Sequence, residues 1–367
     1  MTLTEATLNL YIYTGLKGNR PTLPQYTLTK SVLSTEEIIP FEIAELIKDY
    51  IDVEFDGDYS NVKHNSWVEY DVIRTFSDGL TDTTNHVAMG FLGYGSFEDG
   101  VNPVLSNDVL ISNDIVFIKE GEQAYIPVYT SVDADGTYKV EYFNGDTLLQ
   151  SVTYGGSVTN YTVDSVDIRA SVTTPPYSAD LTSSRESSTA GFSDQSSVIP
   201  SANKFTLTRA DGTTKSLEIR SIEECKQTPY KVSFINKFGV IQDLWFFKRR
   251  DDSFEVQKED YKRSILKTNM LGADMSIGYN GSDHSRKALD IRATKRLKLN
   301  TGFITEDHNE VIRQLMVTEY CWVHENGGLS PIVPTTQSFN VKTQLNEKLI
   351  NFTIDFEYGN NYIQDIR

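Results

Sequence analysis

The 367-residue sequence predicts an all-β fold, with several antiparallel β-sandwich modules and two short α-helices on their flanks. Three features carry that expectation. Short alternating runs rich in β-branched and aromatic residues recur along the chain, glycine-containing turn dipeptides punctuate them, and only two segments have helical periodicity.

The strand runs include Leu8–Tyr13, Trp67–Val72, Tyr138–Phe143 and Phe205–Thr208. The turn signals are Asp78-Gly79, Asp99-Gly100, Asp135-Gly136, Asn144-Gly145, Asp211-Gly212 and Asn280-Gly281, a pairing that closes tight hairpins. The first helix is expected over 41–51, where Ile43, Leu46, Ile47, Tyr50 and Ile51 form one apolar stripe behind Pro40. The second is expected over 306–319, with Thr305 as N-cap, Glu306 and Asp307 in the first turn, and Ile312, Leu315, Met316 and Glu319 on one face. Residues 171–201 are thick with Ser and Thr, carry three prolines and are too polar to hold a core, so they read as a long projecting loop or arm. These signals divide the chain into three expected domains. They are 1–105 with the first helix, 106–255 with the Ser/Thr-rich loop, and 256–367 with the second helix.

A hydrophobic share of 39% supports real cores, and no apolar run is long enough to predict a membrane span or a secretory leader. Cys225 and Cys321 are too sparse for a disulfide framework or a zinc site, and two free buried thiols are favoured over a single bridge. The net charge of −17 argues against sequence-specific nucleic acid as a partner, because gripping duplex DNA needs Lys and Arg on phosphates. The charge is uneven: residues 1–130 hold 20 Asp/Glu against 7 Lys/Arg, whereas residues 260–300 hold 9 Lys/Arg against 4 Asp/Glu. Such a separation suits head-to-tail contact between copies and equally describes two solvated faces.

The residues offer no enzyme signature. His64, His86, His284, His308 and His324 stand singly, without a metal-ligand spacing around any of them. Residues 15–20 lack the spacing and the Lys-Ser/Thr pair of a phosphate-binding loop. Asp133-Ala134-Asp135-Gly136 lacks the closing glutamate of a calcium loop and reads as a hairpin turn. Among 51 carboxylates no pair, Glu223-Glu224 included, stands out as acid and base. The expectation is a non-enzyme with no cofactor and no metal. The run Leu244-Trp245-Phe246-Phe247 before Lys248-Arg249-Arg250 has two readings: a strand buried on both faces, which is favoured, or an exposed stacking platform for sugar or single strands.

The stretch 230–247, YKVSFINKFGVIQDLWFF, resembles a segment of virion tail proteins of tailed bacteriophages that infect Bacteroidetes-type bacteria: a strand, an Asn-basic-aromatic-Gly turn, then an aromatic strand. Here the turn is Asn236-Lys237-Phe238-Gly239. Residues 40–50, the helix before Trp322 leading to 331–334, and 346–358 are similar to the same group. The resemblance implies a β-sandwich component of the phage tail, near its distal end or baseplate, that self-associates into a ring or tube beside neighbouring tail proteins. It carries over no catalytic residue. Asn236, Phe238, Gly239, Trp245 and Phe246 become the turn and assembly candidates, with Trp245 expected in a domain core and Phe246 against an adjacent domain or subunit. A receptor- or carbohydrate-binding module of a tail fibre, with host surface glycan as partner, is the alternative, and a glycan depolymerase a third.

Overall fold

The computed structural model describes residues 2–14, 20–32, 38–57, 65–100, 109–120, 122, 125–127, 138–154, 179–180, 202–208, 212–271, 274–338, 340–341, 350–360 and 362. It is an all-β protein with two α-helices among these residues.

The N-terminal unit is an antiparallel sheet of β1 (Leu3–Tyr13), β2 (Tyr26–Ser31), β3 (Asn65–Phe76) and β4 (Thr81–Phe91), in the order β2-β1-β3-β4. Helix α1 (Ala44–Lys48) lies against one face. Strict alternation in β1 sends Leu8, Leu10 and Ile12 to that face, where they meet Leu46 and Ile47. Tyr11 and Tyr13 go to the other. The helix is five residues long, not the eleven expected over 41–51. Ile43 stands at its N-cap with no side-chain oxygen for a free N–H, and β-branched residues favour helix weakly. Ile43, Leu46 and Ile47 of its apolar stripe nonetheless pack against the sheet, while Tyr50 is exposed.

The central sheet orders β5 (Ile115–Lys119), β7 (Tyr138–Asn144), β8 (Thr147–Tyr154), β10 (Lys204–Thr208) and β11 (Thr214–Ile222) as β5-β11-β10-β7-β8. Its β5–β11 pair is parallel, and the other neighbours are antiparallel. A separate short pair joins β6 (Tyr125–Ile126) to β9 (Ala179–Asp180). Apart from β9, the Ser/Thr-rich stretch 171–201 lies outside the described residues, as does the expected break near 105.

The C-terminal unit contains β12 (Tyr230–Ile235), β13 (Ile241–Phe246), β14 (Asp251–Lys262), β15 (Lys267–Leu271), β16 (Asp274–Gly278), β17 (Arg286–Asn300), helix α2 (His308–Val317), β18 (Cys321–Glu325), β19 (Gly328–Pro334) and β20 (Thr353–Tyr358). Seven of these strands form one antiparallel sheet, β13-β12-β18-β19-β20-β17-β14, while β15 and β16 pair with each other. Sheet membership therefore changes between Ile222 and Tyr230, ahead of the break expected near 255, because β12 and β13 bond to β18 and not to the central sheet. Just past β13, Phe247 N–H donates to Thr301 O at 3.4 Å and Lys248 N–H to Asn300 O at 3.1 Å. The sheet thus rolls round until its two ends meet, and β14 continues β13 in the same sense. The inside of the roll holds Phe234, Phe246, Leu299, Val323 and Phe356, closed over by Ile312 and Leu315 of α2.

Helix α2 is shorter at both ends than the expected 306–319. Thr305 precedes it, but its hydroxyl bonds to Asp307 and His308 Nδ1 rather than to a free backbone N–H. Glu319 has left the helix face and pairs with Lys48 of α1 at 2.7 Å. Both cysteines are free: Cys321 is buried, as expected, whereas Cys225 is exposed. Among the described residues no helix is long and apolar enough to cross a membrane.

Candidate functional site

The 236–239 turn is a buried joint between units. Asn236 Nδ2 donates to Leu110 O at 2.8 Å and to Gln242 Oε1 at 3.1 Å, while its Oδ1 accepts from the N–H groups of Phe238 (3.0 Å) and Val240 (3.4 Å). Gln242 passes the network to Asn113 Oδ1 at 3.0 Å. On the far side, Gln314 of α2 donates to Ser112 Oγ at 2.7 Å and accepts from Lys237 N–H. A buried amide with all its groups bonded fixes its neighbours, since each group left unpaired costs free energy.

Gly239 has φ +77°, and its backbone crosses that of Gly93. A Cβ on Gly239 would lie 2.8 Å from the N atoms of Leu92 and Gly93, and one on Gly93 would lie 2.6 Å from Lys237 O. Real Cβ atoms do not approach backbone so closely, so both positions demand glycine. Tyr94 N–H seals the crossing with a 2.8 Å bond to Lys237 O.

Alternation along β13 explains the aromatic run. Phe246 points into the roll, edge-on to Phe356 with ring centroids 6.0 Å apart. Trp245 and Phe247 point outward and complete the core of the central sheet, beside Phe205 and Leu217. The run is buried on both faces within the chain, so it is not an exposed stacking platform. The expectation that Phe246 could face another subunit needs correction: it is wholly enclosed by this chain's own core.

Beside the turn, a cleft of about 580 Å³ opens between α1, residues 90–95, the turn and the segment after α2. Ile47, Phe91, Phe238, Val317 and Tyr320 give it an apolar lining, and Glu45, Lys48 and Glu319 stand on its wall.

One polar cluster joins a hairpin pair to a histidine from a distant strand. On the outer face of β12, β13 and β18, Ser233 Oγ donates to Asp243 Oδ1 at 2.6 Å and lies 2.8 Å from His324 Nε2. Lys231 Nζ approaches the other Asp243 oxygen at 3.8 Å. Because the Ser233 proton goes to the carboxylate, its oxygen accepts from the imidazole, which fixes the neutral Nε2–H tautomer. Burial pushes the His324 pKa down to about 4, with Lys231 adding to the fall and Asp243 and Glu122 opposing it. The serine is fully buried, and its bonds to Asp243 and His324 tie β12, β13 and β18 together. His308 is also buried, against Phe117. Its neighbour Asp307 accepts from the N–H groups of Asp114 (3.3 Å) and Ile115 (3.2 Å), tying α2 to β5. Burial works to raise the Asp307 carboxyl, but bonds from His308, Thr305 and Ile115 outweigh it and hold the group at about 2. The expectation that all five histidines stand alone therefore fails for His308 and His324. Among the described residues no three metal-ligating side chains converge.

The last surface is a ribbon. Between Arg286 and Lys295, β17 pairs with β14 alone among the described strands, because β20 joins it only from Arg296 onward. Nine rungs, from Phe254–Lys295 to Lys262–Arg286, give an arm about 30 Å long. Every residue of β14 is exposed. Phe254, Val256 and Ile291 lie on one face of the shaft, and Leu266, Ile277 and Tyr279, at the base of the β15–β16 hairpin beyond it, are 63%, 67% and 72% exposed.

No protein family, curated protein or solved structure matches the chain.

Proposed function

We propose that the chain is a structural, non-catalytic subunit of a bacteriophage virion, a tail or baseplate component that self-associates into a ring or tube with neighbouring tail proteins. The ribbon carries this reading. A two-stranded ribbon has no core and is marginally stable alone in water, and here it displays large apolar side chains along its shaft and at the base of the β15–β16 hairpin. Such an arm is stabilised by a partner that buries it. The buried joint at 236–239 supports the same role, since it holds the units in a fixed relation to one another.

Mass measurement of the purified protein, with electron microscopy, tests the proposal. Rings or tubes of fixed copy number are expected. A monomer or compact trimer that retains host polysaccharide would replace it with the receptor-binding reading, and released oligosaccharide would replace it with an enzyme.

A further inference from the structure

Three Asn-Gly dipeptides stand exposed on this chain: Asn144-Gly145, Asn280-Gly281 and Asn326-Gly327. Glycine has no side chain to shield its N–H from the carboxamide of the asparagine before it. Attack by that nitrogen on the carboxamide carbon closes a five-membered ring, and the fold decides which of the three pairs can make the approach.

Two of them are locked. Gly145 N–H donates to Asn203 Oδ1 at 2.8 Å and Asn203 Nδ2 donates to Asn144 Oδ1 at 3.4 Å, so one side chain holds both reacting groups apart. Asn326 and Gly327 are the two central residues of a hairpin closed by the Glu325–Gly328 rung, with φ of +52° and +73°. Turning their peptide towards the side chain breaks that rung.

Asn280 is differently placed, in the segment 279–285 that joins β16 to β17 outside either strand. A Cβ on Gly281 would meet nothing within 4 Å, and among the described residues no hydrogen bond engages the Gly281 N–H. Asp283 N–H donates to Asn280 O at 3.0 Å, which leaves the carboxamide Nδ2 free to depart. Ser282 N–H donates to Asn280 Oδ1 at 3.3 Å, the oxygen on which negative charge develops as the ring closes.

We propose that Asn280 is a site of spontaneous modification, converting to aspartate and isoaspartate with Gly281 as the nucleophile, while Asn144 and Asn326 persist. The Gly281 nitrogen bonds to Cγ, the Cγ–Nδ2 bond breaks, and ammonia carries away the proton that the glycine gives up. Water then opens the succinimide at either carbonyl, so no oxidant or cofactor is consumed. The product adds a carboxylate to the turn where Asp283 already pairs with Lys267 at 2.6 Å. Its isoaspartate form also lengthens the main chain by a methylene between the β15–β16 hairpin and β17.

The folded full-length protein, held at pH 8 and 37 °C, cut with an acid protease and weighed at intervals, tests the proposal. The Asn280 peptide should gain about 1 Da at least about tenfold faster than the peptides of Asn144 and Asn326, the factor set by one hydrogen bond that must break. In concentrated urea the three rates should converge. Gly281→Ala, in open space, should arrest the change at Asn280 and melt within about 2 °C of the parent, and Asn203→Ala should speed the change at Asn144. Equal rates at the three positions in the folded protein overturn the proposal, as does an Asn280 that survives folded for as long as its unfolded counterpart takes to convert. Aspartate without isoaspartate at position 280 overturns it too, because water and not Gly281 would then be the nucleophile.

Discussion

Acidification should weaken this protein through His324 before most carboxylates titrate. In the folded chain the imidazole is held neutral, with a pKa near 4 against an ordinary 6.5. The unfolded chain therefore binds the extra proton first as pH falls. The stabilisation is complete above pH 6.5 and is lost as pH falls from there to 4. The 2.5-unit depression corresponds to about 3 kcal/mol in total, of which about 2 kcal/mol has gone by pH 5. The substitution His324→Gln keeps an amide near Ser233 and removes the titration. Urea unfolding of both proteins at pH 7, 6 and 5 isolates the effect, because contributions from other groups cancel in the difference. The parent's advantage over the variant should shrink by about 2 kcal/mol between pH 7 and pH 5. Parallel curves for the two proteins would show that His324 is solvated rather than buried beside Phe55.

Asn236→Ala strips partners from Leu110 O, from Gln242 and from two turn N–H groups, and should cost about 3 kcal/mol in urea unfolding. Gly239→Ala combines a disfavoured positive φ with a 2.8 Å clash on backbone, so soluble expression should fall sharply; Gly93→Ala should do the same from the other side. Phe246→Ala and Trp245→Ala should each cost about 3–5 kcal/mol, and hydrogen exchange should separate them: the first loosens the rolled sheet, the second the central sheet. Asp307 has a folded pKa below its unfolded one, so its contribution is present above pH 4 and lost as pH falls towards 2; Asp307→Asn should flatten the acid limb of the stability profile.

Local features of this fold could be read from the sequence because they depend on near neighbours. Alternation placed β1, β3, β7 and β10, and the glycines after Asp78 and Asn144 do take positive φ between paired strands. The Ser233–Asp243 pair was within reach too. The two residues face each other across one hairpin, and their register follows once the 236–239 turn is placed. His324 was not, because β18 reaches β12 from about ninety residues away, and no local signal specifies that pairing. The change of sheet after Ile222 was hidden for the same reason: β12 looks like any other apolar strand, and its allegiance is decided by β18. Helix lengths failed at the ends, where caps and tertiary bonds such as Lys48–Glu319 override the apolar period.

Because β13 gives Trp245 to one core and Phe246 to another, the ribosome imposes an order on folding. When Ile222 has been made, the five strands of the central sheet exist, yet their core still lacks Trp245 and Phe247. About 25 more residues must be added, roughly 1–5 s at ordinary elongation rates, and during that interval the nascent sheet exposes an apolar gap. Chaperone capture should therefore peak once this sheet has emerged and before Trp245 and Phe247 follow it, and a released fragment ending near residue 225 should be more sticky than one ending just past residue 247.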